Sequence, residues 1–198
     1  MHAKWAATLK ATPSMCTSHT VLVVDQSGSM RTSDVTDYRH RRTEAKPRSH
    51  GNYQQALDLC DEILAVDEGN GACAILLLFL SDGKPSDQIP FLNSHEEIFG
   101  SQVRQLSEKF KNQLTVGTIG FAGEGTDFKV LEHMAKQASA GGSVGLFQKS
   151  QASSVALSSA VSLLGSKLSQ TQTRLTALAN TRLTGRGTLR VLETEGIK

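Results

Sequence analysis

Val21-Leu22-Val23-Val24-Asp25-Gln26-Ser27-Gly28-Ser29-Met30 is an apolar run rich in β-branched residues that breaks off in a carboxylate, two hydroxyls and a glycine. Such a run reads as a strand of a parallel sheet buried on both faces. In open α/β sheets ligands sit beyond the carboxyl ends of the strands, so Asp25, Ser27 and Ser29 fall where a site is expected. Oxygen donors alternate along the turn, and Gly28 permits a tight backbone path between the two serines.

Ala74-Ile75-Leu76-Leu77-Leu78-Phe79-Leu80 is a second continuous apolar run, ending in Ser81-Asp82-Gly83-Lys84-Pro85. If the two strands are neighbours, Asp25 and Asp82 share one edge with the two serines. Four hard oxygen donors suit a small divalent cation. Magnesium fits best, with manganese or calcium as substitutes, because it prefers octahedral oxygen coordination and keeps several waters.

These residues resemble the von Willebrand factor type A (integrin I-like) domain and its metal-ion-dependent adhesion site. The family pattern is Asp-x-Ser-x-Ser after the first strand, a threonine on a later loop, and an aspartate opening an Asp-Gly turn. Asp25, Ser27 and Ser29 match the first part and Asp82-Gly83 the last, over a resemblance spanning roughly residues 18–168. It implies that Ser27 and Ser29 bind the metal directly while Asp25 and Asp82 act mainly through bound waters. Gly28, Gly51, Gly83 and Asp87 would surround them. The implied fold is a three-layer, Rossmann-like, mainly parallel sheet with helices on both faces. The implied function is recognition: the metal keeps an open position that accepts a carboxylate from a partner protein.

The chain departs from the pattern twice. His50-Gly51-Asn52-Tyr53 is the nearest match to the family's threonine turn, and it puts Gly51 where the hydroxyl belongs, leaving Ser49 or a water to replace it. Between Met30 and Asn52 the chain is short and mostly polar, where the family carries a long amphipathic helix and two strands. The stretch 31–49 therefore reads as the scar of a deletion, which leaves one sheet edge unpaired and part of one face uncovered.

Elsewhere the periodicities are clear. Residues 53–64 show helical spacing with Ala56, Leu57, Cys60, Ile63 and Leu64 inward and Asn52 as N-cap. A helix over 94–112 buries Ile98, Val103, Leu106 and Phe110, and a third strand covers 114–121. The glycine-rich loop 122–126 lacks the Gly-Lys-Ser/Thr ending of a phosphate loop. Asp127 caps or enters a helix with Val130, Leu131, Met134 and Ala138 inward, stopped by Gly141 and Gly142. A short edge strand at 143–147 leads to a last helix over 150–168 with Val155, Leu157, Val161, Leu163, Leu164 and Leu168 as its apolar content. This gives an extension at 1–17, the domain at 18–168 and a polar, partly helical or disordered tail at 169–198.

The 198 residues, 38% of them hydrophobic, suffice for one α/β domain. A formal net charge of +2 without banding of Lys and Arg does not suggest nucleic-acid binding. Cys16, Cys60 and Cys73 have neither metal nor redox spacing, and residues 1–10 have too short an apolar core for a signal peptide. A cytoplasmic, non-enzymatic binding module is expected. A metal-assisted hydrolase or phosphotransferase using Asp25 is the catalytic alternative, weakened because Ser27 stands where a second carboxylate would be needed and no histidine or lysine is placed as a general base. The third alternative is a structural isoform without metal. His95 and His133 read as boundary histidines.

Overall fold

The computed structural model describes residues 17–25, 51–88, 90, 93–122, 125–151 and 153–195, with side chains followed as far as Ala179. Four parallel strands lie in chain order: β1 (Ser18–Val24), β2 (Ala74–Ser81), β3 (Leu114–Phe121) and β4 (Val144–Ser150). The helices are α1 (Tyr53–Leu64), α2 (His95–Phe110), α3 (Lys129–Ala140) and α4 (Ser154–Glu195). The result is a three-layer, Rossmann-like α/β fold.

Strand pairing sets the two faces. Val21 lies beside Leu77 and Val116 beside Leu77 on the far side, and these share a core with Leu57 of α1, Phe99 of α2 and Leu131 of α3. Leu76, Leu78 and Ile119 point the other way and meet Ala160 and Leu164 of α4. Among the described residues three helices cover one face and one covers the other. β2 and β3 are buried along nearly their whole length; β2 accordingly reads as an uninterrupted apolar run, while β3 takes Thr115 and Thr118 inside with its apolar residues.

Local chemistry sets the ends of the helices. Ser94 and Glu97 form a capping box at the start of α2: the Ser94 hydroxyl accepts from the Glu97 N–H (3.2 Å) and the Glu97 carboxylate accepts from the Ser94 N–H (3.3 Å). Asp127 accepts from the Lys129 N–H (3.0 Å) at the start of α3, and Gly142, at φ +91°, ends it. Asn52 precedes α1 but its side chain caps nothing. Asp87 performs that task from the loop after β2, accepting from the N–H groups of Tyr53 (2.8 Å) and Gln54 (3.1 Å).

Two expectations about apolar faces need correction. Ile63 turns toward solvent, as do Val155, Val161 and Leu163; α4 instead buries Ala160, Leu164 and Leu175 and half-buries Leu157 and Leu168. The last helix also does not end near Leu168. It runs 42 residues, about 63 Å at 1.5 Å per residue, whereas the strands of seven or eight residues are about 25 Å long. Residues 169–178 belong to the packed body: Thr171 and Leu175 are buried, Gln172 Nε2 donates to Thr17 Oγ1 (3.1 Å) and Arg174 Nη2 to the Asn112 carbonyl (2.6 Å). Leu164, Leu168, Thr171 and Leu175 continue a three-and-four spacing that the Thr and Gln content of this stretch disguises.

Among the described residues β1 is an edge strand with a single neighbour. Leu22 and Val24 are 58% and 44% exposed. The apolar run of β1 reads as a strand buried on both faces, yet only Val21 of its seven residues is buried, because α4 reaches β2 and β3 and leaves Leu22 and Val24 outside its cover. The short interval after Met30, residues 31–49, lies outside the described residues. At the base of β1, His19 Nδ1 meets Asp67 Oδ2 (2.5 Å), tying the edge strand to the end of α1.

Candidate functional site

Parallel pairing of β1 with β2 brings Val24 beside Leu80, and the Asp25 N–H donates to the Leu80 carbonyl (2.9 Å). Asp25 and Asp82 therefore emerge together at the carboxyl edge of the sheet. Both are largely buried, at 8% and 4% exposure. Ser27, Gly28 and Ser29 lie outside the described residues.

A polar network anchors Asp25. Ser81 has one hydroxyl proton, which it donates to Asp25 Oδ2 (2.6 Å). The contact between the Tyr53 phenol and Ser81 Oγ must then run the other way, with Tyr53 donating, and the Gly83 N–H donates to the same oxygen (3.0 Å). Ser81 thus links α1, the Asp82-Gly83 turn and Asp25. Burial raises the Tyr53 phenol well above the ordinary tyrosine range and the charges of Asp25, Asp82 and Asp87 raise it further, outweighing the opposite pull of the Ser81 bond. Tyr53 stays a proton donor throughout the neutral range.

The Asp82 turn is stiff. Asp82 Oδ1 accepts from the Lys84 N–H (3.1 Å), closing a local turn. Gly83 has φ +82°, and a Cβ there would lie 2.9 Å from the Asp127 carbonyl oxygen and 3.0 Å from the Phe128 ring, so glycine is needed for both space and backbone. Gly51 is buried and its main chain is clasped by Ser86: its N–H donates to Ser86 Oγ (3.3 Å) and its carbonyl accepts from the Ser86 N–H (2.9 Å). Asp87 caps α1 with its carboxylate while its carbonyl accepts from His95 Nε2 (3.0 Å). His95 stacks on Phe99 with ring centres 5.6 Å apart, so it braces this loop.

Sequence reasoning missed Ser81 and the phenol of Tyr53. Ser81 carried a signal: it is the one hydroxyl closing an otherwise apolar run, directly before Asp82. Nothing local links Tyr53 to it, because the two are joined only when α1 packs on β2. Replacing Ser81 with alanine orphans the Tyr53 hydroxyl and the Gly83 N–H and takes one donor from Asp25. The expected cost is about 2–3 kcal/mol by urea unfolding. In a Tyr53→Phe background the same change should cost less, since one orphan is already gone. A full, additive loss in that background would rule the network out.

The donor chemistry is that of a hard-cation site: Asp25 and Asp82 offer buried carboxylate oxygens at adjacent strand ends, and a divalent ion held there with hydroxyls and water would compensate their burial. Among the described residues there is no cluster of three His, Cys, Asp or Glu side chains suited to a metal, so any ion there depends on serine hydroxyls and water as well. No protein-family model matches the chain, and neither the curated proteins nor the solved structures contain a match.

Proposed function

We propose that the chain is a divalent-metal-dependent protein-interaction module of the von Willebrand factor type A kind. The observation that carries this is the placing of Asp25 and Asp82 side by side at the carboxyl ends of adjacent parallel strands, continuous with Ser27-Gly28-Ser29. Ser27 and Ser29 would hold the ion directly, with Asp25 and Asp82 acting mainly through water. A bound magnesium ion, or manganese or calcium in its place, supplies an electrophilic position that accepts an acidic side chain of a partner protein. The chain's own residues set the carboxylates in place: Ser81 fixes Asp25, and the Lys84 N–H and Gly83 fix the turn at Asp82.

Recognition is favoured over catalysis because the best-placed proton-carrying group, Tyr53, is held firmly protonated and so is a poor general base. Action in a reducing, cytoplasmic setting is supported by Cys60, a free and buried cysteine whose thiol burial pushes up to about 11. No helix among the described residues is long and apolar enough to cross a membrane, and the small net charge gives no support to a nucleic-acid partner.

Magnesium titration by calorimetry tests the proposal. Wild-type chain should bind one ion, and Asp82→Asn and Ser27→Ala should each abolish the signal. At a hundredfold excess over the dissociation constant, magnesium should add about 2.7 kcal/mol to stability and raise the unfolding midpoint by about 5–10 °C. Absence of binding by wild type, or binding untouched by either substitution, would favour the second reading: a shortened isoform without metal. That reading draws its support from Gly51, which offers only main chain where a hydroxyl is wanted, and from the uncovered face of β1.

A further inference from the structure

Each carboxylate at the two strand ends already has one oxygen engaged by the chain. Asp25 Oδ2 accepts the Ser81 hydroxyl at 2.6 Å, and Asp82 Oδ1 accepts the Lys84 N–H at 3.1 Å. The Ser81 bond is enforced by its surroundings. Its oxygen takes the Tyr53 phenol proton on one side and the Gly83 N–H (3.0 Å) on the other, so both acceptor positions are filled and its one proton goes to Asp25. Ser81 and Tyr53 are buried, which keeps water from competing for these bonds. The turn at Asp82 has no slack, since Gly83 is boxed in by the Asp127 carbonyl and the Phe128 ring.

We infer that Ser81, and Tyr53 through it, are positioning residues that rank the ions this site accepts, magnesium well above calcium; the inference rests on the metal-site reading given above. A carboxylate with one oxygen tied up in this way turns at most one oxygen toward an ion or its water. Magnesium needs no more, because it takes a near-ideal octahedron of oxygens at about 2.0–2.1 Å and keeps several of its waters. Calcium takes about six to eight oxygens at about 2.3–2.6 Å and draws on carboxylates that grip it with both oxygens. Selectivity between the two depends on ligand number and flexibility, and here the chain restricts both. Tyr53 acts through Ser81, and Ser81 through Asp25, so neither hydroxyl has to touch the ion. Because Tyr53 belongs to α1 and Ser81 to β2, the docking of that helix is what sets the ranking.

Calorimetric titration of the full chain with magnesium and, separately, with calcium tests the inference on wild type, Tyr53→Phe and Ser81→Ala. Wild type should favour magnesium. Loss of a group that orients a metal ligand costs about 10–100-fold in affinity, so both substitutions should weaken magnesium by about that factor, Ser81→Ala the more. Calcium should weaken far less or gain, because Asp25 Oδ2 is released, and the ratio of the two affinities should fall by about tenfold. A merely structural role would weaken both ions alike and leave the ratio where it was. Should Ser81→Ala fail to fold, Tyr53→Phe, which removes a single oxygen, carries the test. Wild type that holds calcium as tightly as magnesium would overturn the inference by itself. Magnesium binding with a ratio untouched by either folded variant would overturn it too, and would leave the metal-site reading standing. Wild type that binds neither ion would bring down both.

Discussion

Truncating Leu164 to alanine should lower the free energy of unfolding by about 4 kcal/mol, near the upper end for a leucine-to-alanine change in a core. Leu164 is fully buried, and it is the side chain of α4 that reaches deepest into the sheet: a Cβ at Gly117 of β3 would lie 2.6 Å from its Cδ1. That depth means neighbours cannot collapse into the space left behind, so the cavity term adds to the lost transfer energy. With whole domains stable by only about 5–15 kcal/mol, much of the margin goes with one side chain. Leu163, its neighbour in sequence, is 42% exposed, and Leu163→Ala should change stability by no more than about 0.5 kcal/mol. Urea unfolding of the pair reads both values, and equal effects would mean that α4 is rotated from the orientation described.

Valine at Gly145 is the second severe change, with an expected loss of about 3 kcal/mol. Gly145 lies in β4 beside Val116, on the face covered by α3. A Cβ there would run into the Ala135 carbonyl, far inside contact distance, and would press on the Ser139 hydroxyl at 2.8 Å. The obstacle is helix backbone, which cannot change rotamer to make room, so α3 or β4 has to move as a unit. Gly165 offers the contrast: a Cβ there meets nothing within 4 Å on the surface of α4. Gly165→Ala should stabilise by about 0.5–1 kcal/mol. Thermal unfolding of both variants reads the opposite signs, and a neutral Gly145→Val would place β4 farther from α3.

What the sequence revealed follows from how local each feature is. β2 was legible because burial on both faces leaves no polar residue to break its run, and α2 was legible because Ile98, Val103, Leu106 and Phe110 recur at helical spacing. Asp25 and Asp82 could be placed on one edge because each ends an apolar strand. The missed features depend on pairs distant in sequence. Asp87 displaces Asn52 as the cap of α1 from beyond β2, and Tyr53 reaches Ser81 only after α1 docks. The exposed side of α4 was misjudged because its apolar residues outnumber those one sheet face can cover, so content alone could not say which side turns inward. The length of α4 was misjudged because threonine and glutamine hide a spacing that composition does not measure.

The simple order of the sheet bears on how the chain reaches its native state. Each strand pairs with the one before it in sequence, so the sheet can grow strand by strand as the polypeptide leaves the ribosome, each step closing a loop over a modest separation. The helices between the strands all shield one side as they arrive. The other side waits for α4, which follows all four strands in the chain, and until it is released Leu76, Leu78 and Ile119 form a bare hydrophobic surface. The nascent chain therefore passes, between the release of β4 and that of α4, through a half-clad sheet, the species on which a holdase chaperone has most to grip and on which a premature stop before Leu164 would be most damaging.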